Sequence, residues 1–219
     1  MHTNERFKLW FQTLKSIALT EIKGPAPSFD IKDILLAIMA IDDSFIGRKK
    51  LAYTLGLGEG AIRTLISRLK DSGLIETLAS GCRLTEKGLE VYKQINSELM
   101  FFDAPSIIPT NLHLAGLVAK RLGDKIAKGL EERDTAVRAG AAGALILVAK
   151  KKRIIMPGVS DLTEEHPEQY NALMKNAKPK DGDLLVITWA EEERIARKAA
   201  IAVVVSVLEK PSAVKIDSS

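Results

Sequence analysis

Arg63, Thr64, Ser67 and Arg68 are the side chains in this 219-residue sequence whose types and spacing best suit nucleic-acid chemistry. A guanidinium forks onto the acceptor edge of guanine, and hydroxyls reach bases or phosphates. Gly60, one turn earlier, lies on the same outer face and joins the DNA-binding set. Arg48, Lys49 and Lys50 upstream and Arg83 downstream are cations suited to phosphate oxygens, with Arg83 reaching backbone or minor groove. The implied partner is double-stranded DNA.

Catalytic chemistry finds less support. The three histidines are His2 near the terminus, His113 alternating with apolar residues, and His166. Glu164, Glu165, His166 and Glu168 resemble a metal set in composition. They are nearly consecutive, however, and successive helical residues diverge by about 100°, while acids are favoured at a helix start anyway. Cys82 has no neighbouring base, so an incidental thiol is the reading, with redox sensing beside Arg83 as its rival. No phosphate-cradling or dinucleotide glycine pattern is present. The expectation is therefore no catalytic residues, no metal, no cofactor and no enzyme. Small residues at Gly140 and Gly143, with Met156, Gly158, Thr188 and Trp189 at strand ends, are the candidate lining of an effector pocket. Lys150, Lys151, Lys152 and Arg153 read as a solvated hairpin turn, the other reading being contact with DNA or an anionic effector.

These residues need elements to hold them. On a 3.6-residue wheel Ile62, Leu65, Ile66 and Leu69 form one apolar stripe, and Gly60, Arg63, Thr64, Ser67 and Asp71 lie opposite, with Arg68 on the flank. Arg48 to Leu55 predicts a shorter helix with Leu51, Ala52 and Leu55 inward. Gly56-Leu-Gly58 joins the two as a helix-turn-helix. Gly73 stops the second helix, Leu74 to Leu78 and Cys82 to Leu84 predict two strands around Ala79-Ser-Gly81, and Thr85 caps another helix. Helix, turn, helix and hairpin in that order describe a winged helix.

Several segments strengthen this: Gly24-Pro-Ala-Pro-Ser-Phe29, Ile46-Gly-Arg48, Leu55-Gly-Leu-Gly-Glu-Gly60 followed by Arg63-Thr-Leu65, and Gly81-Cys-Arg-Leu-Thr85. Together they resemble the archaeal winged-helix proteins that carry a C-terminal α/β domain of uncharacterised function. The resemblance is strong from Gly24 to about Gly88 and looser beyond. It implies a DNA-binding transcriptional regulator and brings neither a ligand nor residue roles.

The remaining chain fits that frame. Residues 1–23 hold an N-terminal helix, Arg6 to Ile22, whose Phe7, Trp10, Phe11, Leu14 and Ile17 pack on the same chain or on a second copy. Residues 24–104 are the DNA-binding domain, with a first helix from Asp30 to Ile41 and a last one from Thr85 to about Phe102. Residues 105–211 form an α/β effector or dimerisation domain, and 212–219 a tail. In that second domain a strand at Asn111–Val118, a helix at Gly123–Ala139, strands at 143–149 and 153–156, a helix at 167–176, a strand at 183–189 and a helix at 191–208 predict β-α-β-β-α-β-α. The fold class is α+β, a small sandwich of helices on an antiparallel or mixed sheet.

Composition sets the outer limits. Hydrophobic residues make up 46% and charged residues 27%, an ordinary globular balance. Net charge is +4, which permits nucleic-acid binding without demanding it, and the excess is spread over both halves. A single cysteine excludes an intrachain disulfide and suits the cytoplasm. The start leads into no signal-like apolar core, and the longest apolar runs are too short to span a bilayer. The expectation is a dimeric, sequence-specific regulator with a possible small-molecule effector and no membrane partner. The alternative is a ligand-binding or enzymatic α/β domain with the winged helix docking protein, and a third reading is a transcription or RNA component blind to sequence.

Overall fold

The structure is a computed structural model that describes residues 3–19, 27–42, 44–105 and 111–210, with side chains placed from residue 9 onward. Expectations for His2, the Phe7 side chain, the Gly24 to Ala26 break, Pro109 and the tail lie outside the described residues. The chain divides into two compact units, Met1–Leu99 and Met100–Ser219. Helices and antiparallel strands segregate along it as an α+β protein.

Unit 1 begins with α1 (Thr3–Ala18) and α2 (Ile31–Ile41). Asp30 and Asp33 build a capping box at α2, Asp30 accepting from the Lys32 N–H at 2.8 Å and Asp33 from the Asp30 N–H at 3.1 Å. α3 (Arg48–Leu55) and α4 (Glu59–Asp71) follow, joined where Gly56 takes the left-handed conformation at φ 64°. β1 (Ile75–Leu78) and β2 (Gly81–Leu84) make an antiparallel hairpin, and a lone bridge from Ile46 to Cys82 adds a third backbone segment. α5 (Glu86–Glu98) starts at Thr85, whose hydroxyl accepts from the Gly88 N–H at 3.1 Å. α1 packs on α2 and α5, burying Trp10, Phe11, Leu14 and Ile17 within the same unit.

The helix predicted to run from Thr85 to Phe102 stops at Glu98. Leu99-Met-Phe-Phe102 is instead β3 (Leu99–Phe102), an outer strand of the second sheet. Aromatic residues favour a pleated surface, and the Phe102 ring lies where a Cβ on Gly116 would be, 2.6 Å from that position. The passage between units therefore falls inside β3.

Unit 2 continues with β4 (His113–Ala119), a 3₁₀ turn at Gly123–Lys125, and α6 (Leu130–Arg138). A single helix was expected over Gly123–Ala139; the chain turns extended at Ile126, at φ −96° and ψ 117°, which ends the 3₁₀ turn, and α6 starts only after Gly129, its N-cap at φ 75°. β5 (Gly143–Lys150), β6 (Arg153–Met156), β7 (Ser160–Asp161), α7 (Leu162–Glu165), α8 (Pro167–Asn176), β8 (Leu184–Ala190) and α9 (Glu193–Glu209) complete the order. The six-stranded sheet runs β3-β4-β8-β5-β6-β7, antiparallel at β4–β8, β8–β5, β5–β6 and β6–β7. Central β8 is covered on both faces. Leu185 and Ile187 join the core under Leu162 and Leu173 of α7 and α8, while Ala190 packs with Ala196 of α9. Among the described residues no helix is long and apolar enough to cross a membrane.

Arg68 and Cys82 are buried in unit 1. Arg68 is 6% exposed and donates to the Ile17 and Ala18 carbonyl oxygens at 3.2 and 2.8 Å, with its guanidinium 5.2 Å from the Phe29 ring centre. It closes the C-terminal end of α1, where carbonyls lack helical partners. Replacement of Arg68 by Ala is expected to cost roughly 2–3 kcal/mol in denaturant unfolding; a loss below about 0.5 kcal/mol would show that the tie carries no stability. Cys82 is 3% exposed, and burial pushes its thiol above the ordinary value, outweighing the Arg48 charge that draws it down. A raised thiol keeps its proton in the folded chain while the unfolded chain releases it. Stability from this group is thus complete below the ordinary thiol range and falls as pH rises through it. Cys82→Ala should flatten that alkaline decline, and native Cys82 should react with a thiol reagent far more slowly than in denaturant. Equal rates would contradict its burial and revive a sensing role.

Candidate nucleic-acid interface

α4 is the element that sets this surface. Its buried face is Ile62, Leu65, Arg68 and Leu69, so the helix has one outward stripe. Gly60, Arg63 and Ser67 are exposed there and Thr64 is half-buried beside them. Arg63 donates to Glu59 at 3.1 Å, Thr64 Oγ1 to the Gly60 carbonyl at 3.1 Å, and Ser67 Oγ to Asp71 at 3.3 Å. All three bonds are local and solvent-facing, so exchanging them for base or phosphate contacts costs little.

Arg48, Lys49 and Lys50 open α3, and all three are exposed. Arg48 Nη2 lies 4.0 Å from Glu59, which thereby stands between Arg48 and Arg63. The cations at the start of α3 and on α4 thus share one carboxylate, and this links the two elements as one electrostatic surface.

Arg83 lies on β2, the second strand of the hairpin, as expected. It lies opposite Glu76 across the β1–β2 pair, forms an ion pair with it, and has its guanidinium 5.4 Å from the Phe45 ring centre. The hairpin turns on Ala79 and Ser80 alone, and the exposed apolar side chain near its tip is Leu78. Arg83 is exposed but held on the flank of a short hairpin.

Arg68 does not belong to the surface. Its place on the wheel suggested a flank, yet α1 covers that flank and takes the guanidinium as a helix cap. Its removal from the set is a correction that depends on where α1 packs, which α4 alone does not reveal. Three exposed residues were overlooked: Lys70 on α4, Tyr53 on α3 at 74% exposure, and Phe45 beneath Arg83. Tyr53 was legible, since it falls on the wheel side away from Leu51 and Leu55, whereas Lys70 lies one turn beyond Ile66 at the edge of the apolar stripe. Phe45 was not legible, because its role depends on the hairpin.

The six residues expected to line an effector pocket do not converge. Gly143 and Trp189 are cross-strand partners, and a Cβ on Gly143 would meet the indole ring, so the glycine makes room for Trp189. Thr188 alternates to the opposite face, where it is fully buried and donates to the Ala196 carbonyl at 2.7 Å. Gly140, at φ 99°, turns the chain beyond α6 with Ile195 against it. Met156 follows Ile155, which pairs with Val148, five residues along β5 from Gly143 and so about 16 Å away. Gly158 lies in the turn after β6. The composition cluster at the start of α8 also separates: Glu164 pairs with Arg153 at 2.8 Å, and Glu165 accepts weakly from the Asp161 N–H at 3.4 Å. Among the described residues no group of three His, Cys, Asp or Glu is arranged to hold a metal ion.

Comparison with known proteins places these two units. Residues 30–90 match the family described as PH0730-like, N-terminal domain, and residues 113–207 match the domain of unknown function DUF4443. Among solved structures, the chain is similar to hypothetical protein PH0730 from Pyrococcus horikoshii OT3, at 31% identity and a TM-score of 0.66. That similarity covers 80% of this chain and 91% of the other. A comparison with curated proteins finds no match. With both matched segments present in order and a similarity that spans nearly all of the solved relative, the chain belongs to the PH0730-like family.

Proposed function

We propose that unit 1 is a winged helix-turn-helix domain that binds duplex DNA, and that the protein is a sequence-specific transcriptional regulator acting as a dimer. The observation that carries this reading is the outward stripe of α4, where Gly60, Arg63, Thr64 and Ser67 stand free of the core beside the α3 cations. A helix of 13 residues with one buried face is the right size to lie in a major groove. The β1–β2 hairpin serves as the wing. Arg63 reads a base edge, Thr64 and Ser67 support it, and Arg48, Lys49 and Lys50 hold phosphates. One such helix covers one half-site, so two copies read an inverted repeat about one helical turn apart. Unit 2 supplies dimerisation, an effector site or both.

Three substitutions separate these roles. Arg63→Ala is expected to cost roughly 1–3 kcal/mol on the preferred duplex and to relax specificity at one base pair. Lys49→Ala should weaken all duplexes about equally and reduce the slope of log affinity against log salt by about one. Glu59→Gln should raise affinity by freeing Arg48 and Arg63 and removing a charge that repels phosphate. Fluorescence anisotropy at several salt concentrations measures all three. Identical behaviour of the Arg63 and Lys49 variants would refute the division of labour, and a Glu59→Gln loss would place DNA elsewhere.

A further inference from the structure

One end of the unit 2 sheet carries a feature that the DNA reading does not use. A pocket of about 190 Å³ opens between the β5–β6 turn and the segment before β8. Ala149, Ile154 and Met174 give it an apolar lining, and Lys150, Lys151, Lys152 and Lys180 are its exposed lysines. We propose that this pocket binds the phosphoryl group of a small molecule, with the apolar lining taking the ring or chain attached to it.

Charge is the first support. Arg153 is already neutralised, at 3.0 Å from Asp161 and 2.8 Å from Glu164. Asp181, the acid lining the pocket, accepts from the Lys151 backbone N–H. The four lysines form no ion pair among the described residues. Four lysines among the lining residues give the pocket a positive charge that favours a multiply charged anion, and a phosphoryl group carries close to two charges at neutral pH.

Backbone strain is the second. Lys151 and Lys152 are the two turn residues, at φ 50° and 62°. Such a turn prefers Asn-Gly, because a side chain at positive φ is disfavoured. Asp181 and Tyr170 hold it, the Tyr170 hydroxyl donating to the Lys152 carbonyl at 2.9 Å. Among the described residues five non-glycine positions have positive φ, and four are basic: Arg121, Lys151, Lys152 and Lys178. Asp183, 3% exposed, joins the outer two segments by accepting from the Arg121 and Lys180 N–H groups at 3.0 and 2.8 Å. Strain of this kind persists only where surrounding bonds enforce it, and it is typical of ligand sites. A concave pocket with an apolar lining suits a small phosphorylated molecule better than the convex backbone of a duplex.

The full-length protein should be titrated calorimetrically with AMP and with inorganic pyrophosphate, using adenosine as the uncharged control. Binding of either anion, without binding of adenosine, is expected. The paired change Lys151→Asn and Lys152→Gly installs the favoured turn residues while removing two charges. It should raise the thermal midpoint of the free protein and lower anion affinity by about tenfold or more. Lys180→Gln, outside the turn, should lower affinity without that gain in stability. Absence of binding by both anions, or binding unchanged in these variants, would overturn the proposal. So would variants that lose duplex affinity with AMP binding intact, which would assign the lysines to DNA. Because Arg63 and Lys49 are untouched, failure here is distinguishable from failure of the DNA-binding reading.

Discussion

Burial of one stripe of α4 is the constraint on which unit 1 depends. Ile62, Leu65 and Leu69 are each at most 1% exposed, and Arg68 widens the stripe toward α1. A helix so fixed has no rotational freedom left. The residues on the opposite side, Gly60, Arg63 and Ser67, must face outward whatever else the chain does. Arg68 gives this constraint its direction. Its cation meets the last carbonyls of α1, where the helix dipole favours positive charge and where backbone acceptors lack partners. An arginine that looks surface-directed in sequence thus orients the helix whose other arginine remains available.

Unit 2 rests on a different device, the adjustment of sheet to side chain by small residues. Gly143 yields to Trp189 and Gly116 to Phe102, both close approaches that a Cβ would prevent. Thr188 joins strand to helix by donating to the Ala196 carbonyl, satisfying a hydroxyl that is otherwise buried at a cost. These contacts account for Gly143, Trp189 and Thr188, three residues with the chemistry of a pocket lining. The lysine-bearing end of the sheet shows the contrary pattern. There the four lysines are exposed and form no ion pair among the described residues, and it is the backbone of Lys151 and Lys152 that is held at positive φ.

Local signals were legible where one element decides the outcome. The Asp30 cap, the Gly56 turn, the α4 stripe, the Thr85 cap and the main unit 2 elements follow from periodicity and capping chemistry within a few residues, whereas β3, β7 and α7 do not. Failures came where a distant partner decides. Leu99 to Phe102 continues a helical apolar stripe, and only the presence of β4 beside it makes a strand the better use of those side chains. The helix read over Gly123 to Ala139 is broken at Ile126, which is extended, and α6 begins only after the left-handed Gly129. Arg68 was assigned to the surface because no local rule says that α1 ends against it. The pocket grouping failed for a similar reason, since strand ends adjacent in sequence order are not adjacent along a sheet whose register is unknown.

The central claim is that the outward stripe of α4 reads DNA sequence. Selection of bound duplexes from a random library by the purified protein, at two salt concentrations, tests it most directly. The account predicts an enriched motif built from inverted half-sites at both concentrations, with weaker overall binding at the higher one. Salt-sensitive binding with no enriched sequence would contradict it, leaving a surface that holds phosphates without reading bases.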